Sequence, residues 1–336
     1  MPQRRRVPRA SWPVVLVATI TVLFLVQVLP QLPIQIVGTA RATTPDSSAL
    51  SGFMVYASRE VLGRSGSLRM ETVLPGETLS FPLVVSGNVA GLSYQWVAVS
   101  DSAPVSTALP LVGPELRAPH QAGFYRLSVV RDSVRSVISD LTVAVMVPFD
   151  SKQGTRLNGY LLGRWAGEGR VGAEAPSGFV QIHETDLLLP LSEHVVLGDF
   201  LPHDGQETWP RYAAFDQKLL DKLELVLARL DEWAAPGRNV TADVNAGFRS
   251  PSYNRRVAGS ATASRHLQGD AIDVAIDANG DGRFTLADIR LIARAVEEVE
   301  GENPDLQGGL GLYTSSNYRR PFVHIDTRGE RARWQG

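Results

Sequence analysis

Two stretches decide how this sequence is read: Ser264-Arg265-His266-Leu267-Gln268-Gly269-Asp270-Ala271-Ile272-Asp273 and, near the end of the chain, Phe322-Val323-His324-Ile325-Asp326. Each runs into a strand pattern. From Ala271 to Asp277, Ile272, Val274 and Ile276 alternate with Ala271, Asp273, Ala275 and Asp277. A β-strand sends the first set into a core and the second to the opposite face. In the later segment Val323 and Ile325 point inward, while His324 and Asp326 share the other face about 6.6 Å apart. Two adjacent strands would present Asp273 and His324 toward one point, with small alanines beside Asp273 leaving room. His266 would arrive from the loop before Gly269. Two histidines and one carboxylate make a nitrogen/oxygen set for catalytic zinc, with a fourth position left for water. Spacing alone also allows the plainer reading, in which the histidines are structural and the aspartates cap turns.

Composition narrows the classes. The chain has 336 residues, a length that suggests two domains. With 44% hydrophobic residues it can build a packed core. A net charge of −2 leaves no electrostatic footprint for nucleic acid. The absence of cysteine excludes a disulfide framework, a cysteine zinc site, a thiol nucleophile and a lipoprotein cysteine. Only three of the basic residues are lysines, Lys152, Lys218 and Lys222; the arginine bias is read as codon usage of a GC-rich genome.

At the N-terminus, Arg4, Arg5, Arg6 and Arg9 precede an apolar run of 18 residues from Trp12 to Leu29. As a helix it would be roughly 27 Å long, close to a bilayer core of roughly 30 Å. The arginines place the N-terminus in the cytoplasm and the remaining chain outside it. The rival is a cleaved signal ending near Ala40-Arg41-Ala42. Residues 1–42 are thus an arginine cluster with a membrane anchor or signal segment, and 43–51 are a small, polar linker. The expected location is the cytoplasmic membrane with the C-terminal part in the periplasm or outside, or secretion if the segment is cleaved.

Residues 52–148 carry short alternating apolar runs, Thr78 to Val85, Leu92 to Val99, Phe124 to Val130 and Leu141 to Val147. Pro75-Gly76, Gly87-Asn88 and Gly113-Pro114 punctuate them. This predicts an all-β sandwich. Trp96 suits its core, and Gly123-Phe124-Tyr125-Arg126-Leu127 resembles the corner segment of immunoglobulin-like folds. The sandwich is expected to be a spacer or a module that binds a cell-wall protein partner. Beyond a loop-rich stretch, Phe215, Leu219, Leu223, Val226, Leu227 and Leu230 predict an amphipathic helix from Tyr212 to Trp233, stopped by Pro236-Gly237.

The run from Ser264 to Asp273 fits S-x-H-x-x-G-x-A-x-D. Together with Phe322 to Asp326 it resembles the M15 zinc D-Ala-D-Ala carboxypeptidase family, of the group that shares the fold of hedgehog signalling domains. Gly247-Phe248-Arg249-Ser250-Pro251 with Asn254 is similar to an upstream segment of that family, and Leu197-Gly198-Asp199-Phe200 to residues of a longer bacterial subgroup. The resemblance spans roughly Gly178 to Thr327. It implies an α+β domain over 149–336 with an antiparallel sheet and helices, and zinc held by His266, Asp273 and His324. It also implies a peptidase acting on peptidoglycan peptides. Arg249 would bind or polarise substrate, since a guanidinium fork grips a carboxylate with two hydrogen bonds; its alternative is a structural salt bridge. Ser264 would line the site or cap its loop. One departure stands out. Many members carry a catalytic Glu or His three residues before the second zinc histidine, where this chain has Pro321. Asp326 is the substitute base, or else a partner that holds a histidine in place. Without a base, the domain would bind zinc and peptidoglycan, or scaffold a cell-wall complex, without cutting.

Residues 277–288 match an EF-hand loop, with Asp277, Asn279, Asp281, the Arg283 carbonyl and Asp288 as oxygen donors for calcium and Phe284 plugged into the core. Position 12 is Asp rather than Glu. The entering helix is missing, because the strand carrying Asp273 runs straight in. The alternative is an unoccupied loop of Asx turns. At about 13 Å from Asp273 along the strand, calcium would be structural, or would serve a calcium-dependent adhesion module. Among the other histidines, His194 near Asp199 is the one to watch.

Overall fold

The alternation read in the sequence forms a five-stranded sheet in the order Thr241–Ala246, Ala271–Asp277, Phe322–Asp326, Gly309–Tyr313 and Ala332–Gln335. Neighbours are antiparallel except the last pair, which is parallel. The computed structural model describes residues 53–336 apart from 88, 172, 173 and 317. The arginine cluster, the apolar run and the linker lie outside the described residues. Among those described, no helix is long and apolar enough to cross a membrane.

One sheet face carries Ile272, Val274, Ile276, Leu310, Val323 and Ile325, all buried in a single core with the helices Gln217–Trp233 and Leu286–Glu302. Leu219, Leu223, Val226 and Leu230 from the first helix, and Ile289, Ile292, Val296 and Val299 from the second, supply its other side. The first helix begins later than its periodicity predicts. Asp216 caps it by accepting from the Lys218 amide, while Arg211–Ala213 is drawn into a strand beside Gly178–Ile182. The second helix is capped at its start by Thr285, which accepts from the Ala287 amide.

Residues 53–148 are β-rich, as the alternation predicts. A six-stranded sheet contains Met70–Val73, Thr142–Val145, Gly123–Arg131 and Ser93–Ala98. Two further pairs, Phe53–Ala57 with Leu83–Gly87 and Thr78–Ser80 with Glu115–Arg117, cover it. Phe53, Val55, Phe81, Trp96, Leu116, Leu127 and Val143 form their common core. The predicted run Thr78 to Val85 is broken in two around Phe81-Pro82, because proline has no N–H for the ladder.

This β-rich part is bound closely to the rest. Leu68, Met70 and Ala144 belong to the core of the five-stranded sheet's domain, and all described residues fall within one compact unit, Ile34–Gly336. The buried Asp221 carboxylate accepts from the amides of Arg64 (3.0 Å) and Ser65 (2.9 Å) and from the Ser65 hydroxyl (2.7 Å). Arg64 in turn grips Asp305 with two hydrogen bonds of 2.9 Å.

A buried ion pair ties the helices to the sheet. Lys222 is fully buried, and its Nζ donates to Glu300 Oε1 at 2.7 Å and to the Asp326 carbonyl at 2.8 Å. Glu300 also accepts from the Gly308 amide and pairs with Arg333. Burial pushes the Lys222 ammonium below its ordinary value, against the attraction of Glu300. The two partners are not equivalent, since Glu300 has a second cation and Lys222 has no second carboxylate in contact. Glu300→Gln should therefore destabilise by about 3 kcal/mol or more, and Lys222→Met by clearly less. Denaturant unfolding of both variants checks this, and equal losses would refute the asymmetry.

Candidate metal centre

The sheet register builds the site. Asp273 pairs with His324 across the antiparallel strands, and a bulge near Asn245 sets Ala246 opposite Asp273 on the other side. Gly311 and Trp334 continue the same row beyond His324. Gly311 has no side chain because a Cβ there would lie 2.5 Å from the Trp334 indole. The Trp334 ring instead reaches the His324 imidazole, at 5.2 Å between centroids.

His266 is delivered by the short turn Arg265–Leu267. Trp165 Nε1 donates to the Leu267 carbonyl at 3.0 Å, and Arg265 fastens the turn to Asp270. Gly269 follows with φ +79°, and any Cβ there would strike the Ala214 carbonyl. The spacing between His266 and Asp273 thus rests on one glycine that the turn requires.

His266, Asp273 and His324 converge, all buried, with one ligating atom from each within 4.8 Å of the others. His266 Nε2 lies 3.2 Å and His324 Nδ1 2.9 Å from Asp273 Oδ1. Ligands about 2.0–2.1 Å from a tetrahedral zinc sit about 3.3 Å apart, so these separations fit that ion. The tautomer of His266 supplies a second test. Its Nδ1–H donates to the Gly247 carbonyl at 2.6 Å, so Nε2 carries the lone pair. That Nε2 is buried without a hydrogen-bond partner and faces a carboxylate oxygen. Two lone-pair atoms held this close in a buried site suit a cation between them. Burial lowers the His266 pKa, with Asp273 opposing it. Burial alone would raise Asp273, but the two histidines hold it far below the usual carboxylate range. For His324, hydrogen bonds to Asp273 and Asp326 outweigh burial and raise the imidazole.

Asp326 does share the face of His324, but it stands behind the imidazole. Its Oδ2 is 3.1 Å from His324 Nε2, the nitrogen turned away from Asp273. The carboxylate is fully buried and accepts from the Gly309 amide (2.7 Å) and from Arg328 Nε (3.0 Å). This is the place of the second reading of Asp326, a partner that holds the His324 ring. Arg249 lies in the site. Its Nη2 is bonded to Asp273 Oδ2, its amide donates to the His266 carbonyl at 3.0 Å, and its Nε is buried without a partner. Ser264 precedes the His266 turn, yet its hydroxyl makes no capping bond.

The loop over 277–288 is closed by its own amides. Asp277 accepts from Asp281 and Gly282, Asn279 from Asp281, and Asp281 from Arg283. Asp288 is engaged within the loop as well. Its Oδ1 accepts from the amides of Ala278 and Asn279, and its Oδ2 from the amide and hydroxyl of Thr285. These bonds make it the capping-box partner of Thr285 at the start of the helix Leu286–Glu302. Phe284 is only partly buried, with the Arg320 guanidinium 4.6 Å above its ring. His194 pairs with Glu224 at 2.8 Å, not with Asp199, and stands apart from the metal group.

Trp165, Arg328 and Trp334 shape the site without having been singled out in the sequence, and Gly247 was quoted there only as part of the upstream segment. Arg328 and Trp334 follow closely on the His324 strand, and that proximity is the only signal that pointed to them.

The family model described as peptidoglycan L,D-endopeptidase MepK, one of the M15 peptidases, matches residues 207–334. The match supports the M15 peptidase family and an endopeptidase type of function on peptidoglycan. It does not carry the D-Ala-D-Ala carboxypeptidase type. No curated protein matches the chain.

Exchanging Asp326 for Asn removes the acceptor that orients His324 without emptying the group. Zinc affinity, measured by competition with a chromogenic chelator, should fall about 10- to 100-fold. An unchanged affinity would show that His324 needs no such support.

Proposed function

We propose that this chain is a zinc-dependent peptidase that cuts amide bonds in peptidoglycan peptides, most simply as an L,D-endopeptidase. The carrying observation is the pairing of a buried, partnerless His266 Nε2 with Asp273 Oδ1 at 3.2 Å, His324 Nδ1 completing the set. The match over 207–334 supports the substrate class. Zinc held by His266, Asp273 and His324 would polarise the scissile carbonyl and lower the pKa of a water.

The protein's own groups do the rest. The Gly247 carbonyl fixes the His266 tautomer and Asp326 fixes the His324 ring. Arg249 holds Asp273 with one nitrogen and keeps Nε unspent in the buried site. That nitrogen is available to orient a substrate carbonyl or carboxylate.

The 52–148 region is read as an immunoglobulin-like module that positions this domain. Support comes from the Tyr125 hydroxyl donating back to the Gln121 carbonyl at 2.9 Å, and from the buried Trp96. The N-terminal apolar run would hold the protein at the cytoplasmic membrane with both domains outside. Calcium in the 277–288 loop would be structural, held by Asp277, Asn279 and Asp281 with the Arg283 carbonyl. Calcium should then raise the melting temperature without altering zinc stoichiometry by mass spectrometry; loss of both metals in a single titration step would refute a separate role.

A second reading, a zinc domain that binds wall peptides without cutting, is favoured by Pro321 and by the commitment of Asp326 to His324. Purified sacculi incubated with the protein and zinc separate the two. New amine ends by mass spectrometry, absent with His266→Ala, are expected and would name the bond. Identical products from both proteins would leave the binding reading.

A further inference from the structure

The last strand, Ala332–Gln335, brings an aromatic side chain to the metal group from the side away from Asp273. Asp273, His324, Gly311 and Trp334 stand opposite one another across four neighbouring strands, so they share one face of the sheet. Gly311 leaves its place on that face empty, and the Trp334 indole lies across it; a Cβ there would come within 2.5 Å of the indole nitrogen. The indole thereby meets the His324 imidazole at 5.2 Å between centroids, with the two planes at 50°.

Hydrogen bonds alone would hold that imidazole loosely. Asp273 faces its Nδ1 at 2.9 Å and Asp326 its Nε2 at 3.1 Å. A hydrogen bond tolerates tens of degrees of misalignment before it weakens steeply. A ring packed against another ring meets steep repulsion within a fraction of an ångström. Trp334 supplies that stop, and three contacts fix its own place. Gly311 lies beneath it. Its Nε1 donates to the Tyr313 hydroxyl at 3.1 Å, and Tyr313 stacks on Phe322 at 4.6 Å with the rings 1° from parallel. The Arg328 guanidinium lies 5.4 Å from the indole centroid, while its Nε bonds Asp326 at 3.0 Å. The contacts close a ring: His324 to Asp326, Asp326 to Arg328, Arg328 to Trp334, and Trp334 back to His324.

We infer, resting on the zinc reading, that Trp334 is a positioning residue of the metal site. It sets the plane of the His324 imidazole and so makes the last strand a part of the metal-binding machinery. It offers no ligand atom and acts only through His324. Loss of the indole would leave all three ligands in the chain but free His324 to turn from its direction toward Asp273.

Two measurements on the full-length protein test this: zinc affinity by competition with a chromogenic chelator, and the visible absorption band of the cobalt(II) form, whose intensity reports tetrahedral geometry. Trp334→Ala should weaken zinc binding about tenfold, the lower end of what loss of an outer partner costs, and should dim and shift the cobalt band. Trp334→Leu keeps apolar cover on Gly311 without a flat ring, which protects the fold. It should lose affinity in the same direction, by about threefold or more. Trp334→Phe restores a ring beside His324 and should recover affinity to within about threefold of the wild type. A tryptophan with a purely structural role would lower the melting temperature of the metal-free protein and leave the zinc affinity and cobalt band of the folded protein unchanged. That result overturns the positioning role, as would a loss in the Phe variant equal to that in the Ala variant. A wild-type protein that binds no zinc overturns the metal reading and this role with it. Normal wild-type zinc binding that persists in the Ala and Leu variants overturns this role alone.

Discussion

The pairing of Asp273 with His324 across two antiparallel strands is the constraint on which this structure turns. Strand alternation means that a register slip of one residue would send both side chains into the hydrophobic layer and expose Val274 and Val323. The core under the sheet therefore fixes the chemistry above it. Ile272, Val274, Val323 and Ile325 are all buried against the two helices, so the metal face is the only face left for Asp273 and His324. The turn that adds His266 then needs just two further constraints, the backbone of Gly269 and the carbonyl of Gly247.

The support behind the site is electrostatic and deeply buried. His324 rests on Asp326, Asp326 on Gly309 and Arg328, and the Asp326 carbonyl on Lys222. A buried lysine is costly unless it is paired. Here its partner Glu300 sits on the other helix, so the helix pair, the sheet and the outer hydrogen bond of a histidine are locked together. This arrangement commits the Asp326 carboxylate to the support behind His324.

Local periodicity made the central strands legible, because both faces of each are chemically distinct. The metal trio was legible because its residue types are few and their spacing is fixed by a strand and a turn. Asp326 was placed on the correct face from alternation alone, but alternation cannot tell front from behind along a strand; that depends on which imidazole nitrogen turns toward Asp273. Asp288 carries a related ambiguity. The same residue type at the same spacing satisfies both an EF-hand loop and a helix capping box, and the hydrogen bonds to Thr285 form the second. Lys222, Glu300 and Trp334 were invisible, since each matters through a partner far away in sequence.

The attachment of the β-rich part has a consequence for the site. Its tie to the metal domain is polar and specific, through Asp221 and the Arg64–Asp305 pair, as well as apolar through Leu68 and Met70. Polar bonds of this kind fix orientation, because a shifted docking would leave the buried Asp221 carboxylate without its donors. A module that served only as a tether would need no such orientation. Its placement leaves a cleft lined in part by Arg328, which bonds the carboxylate behind His324, so the way the two parts are joined bears directly on the surroundings of that histidine.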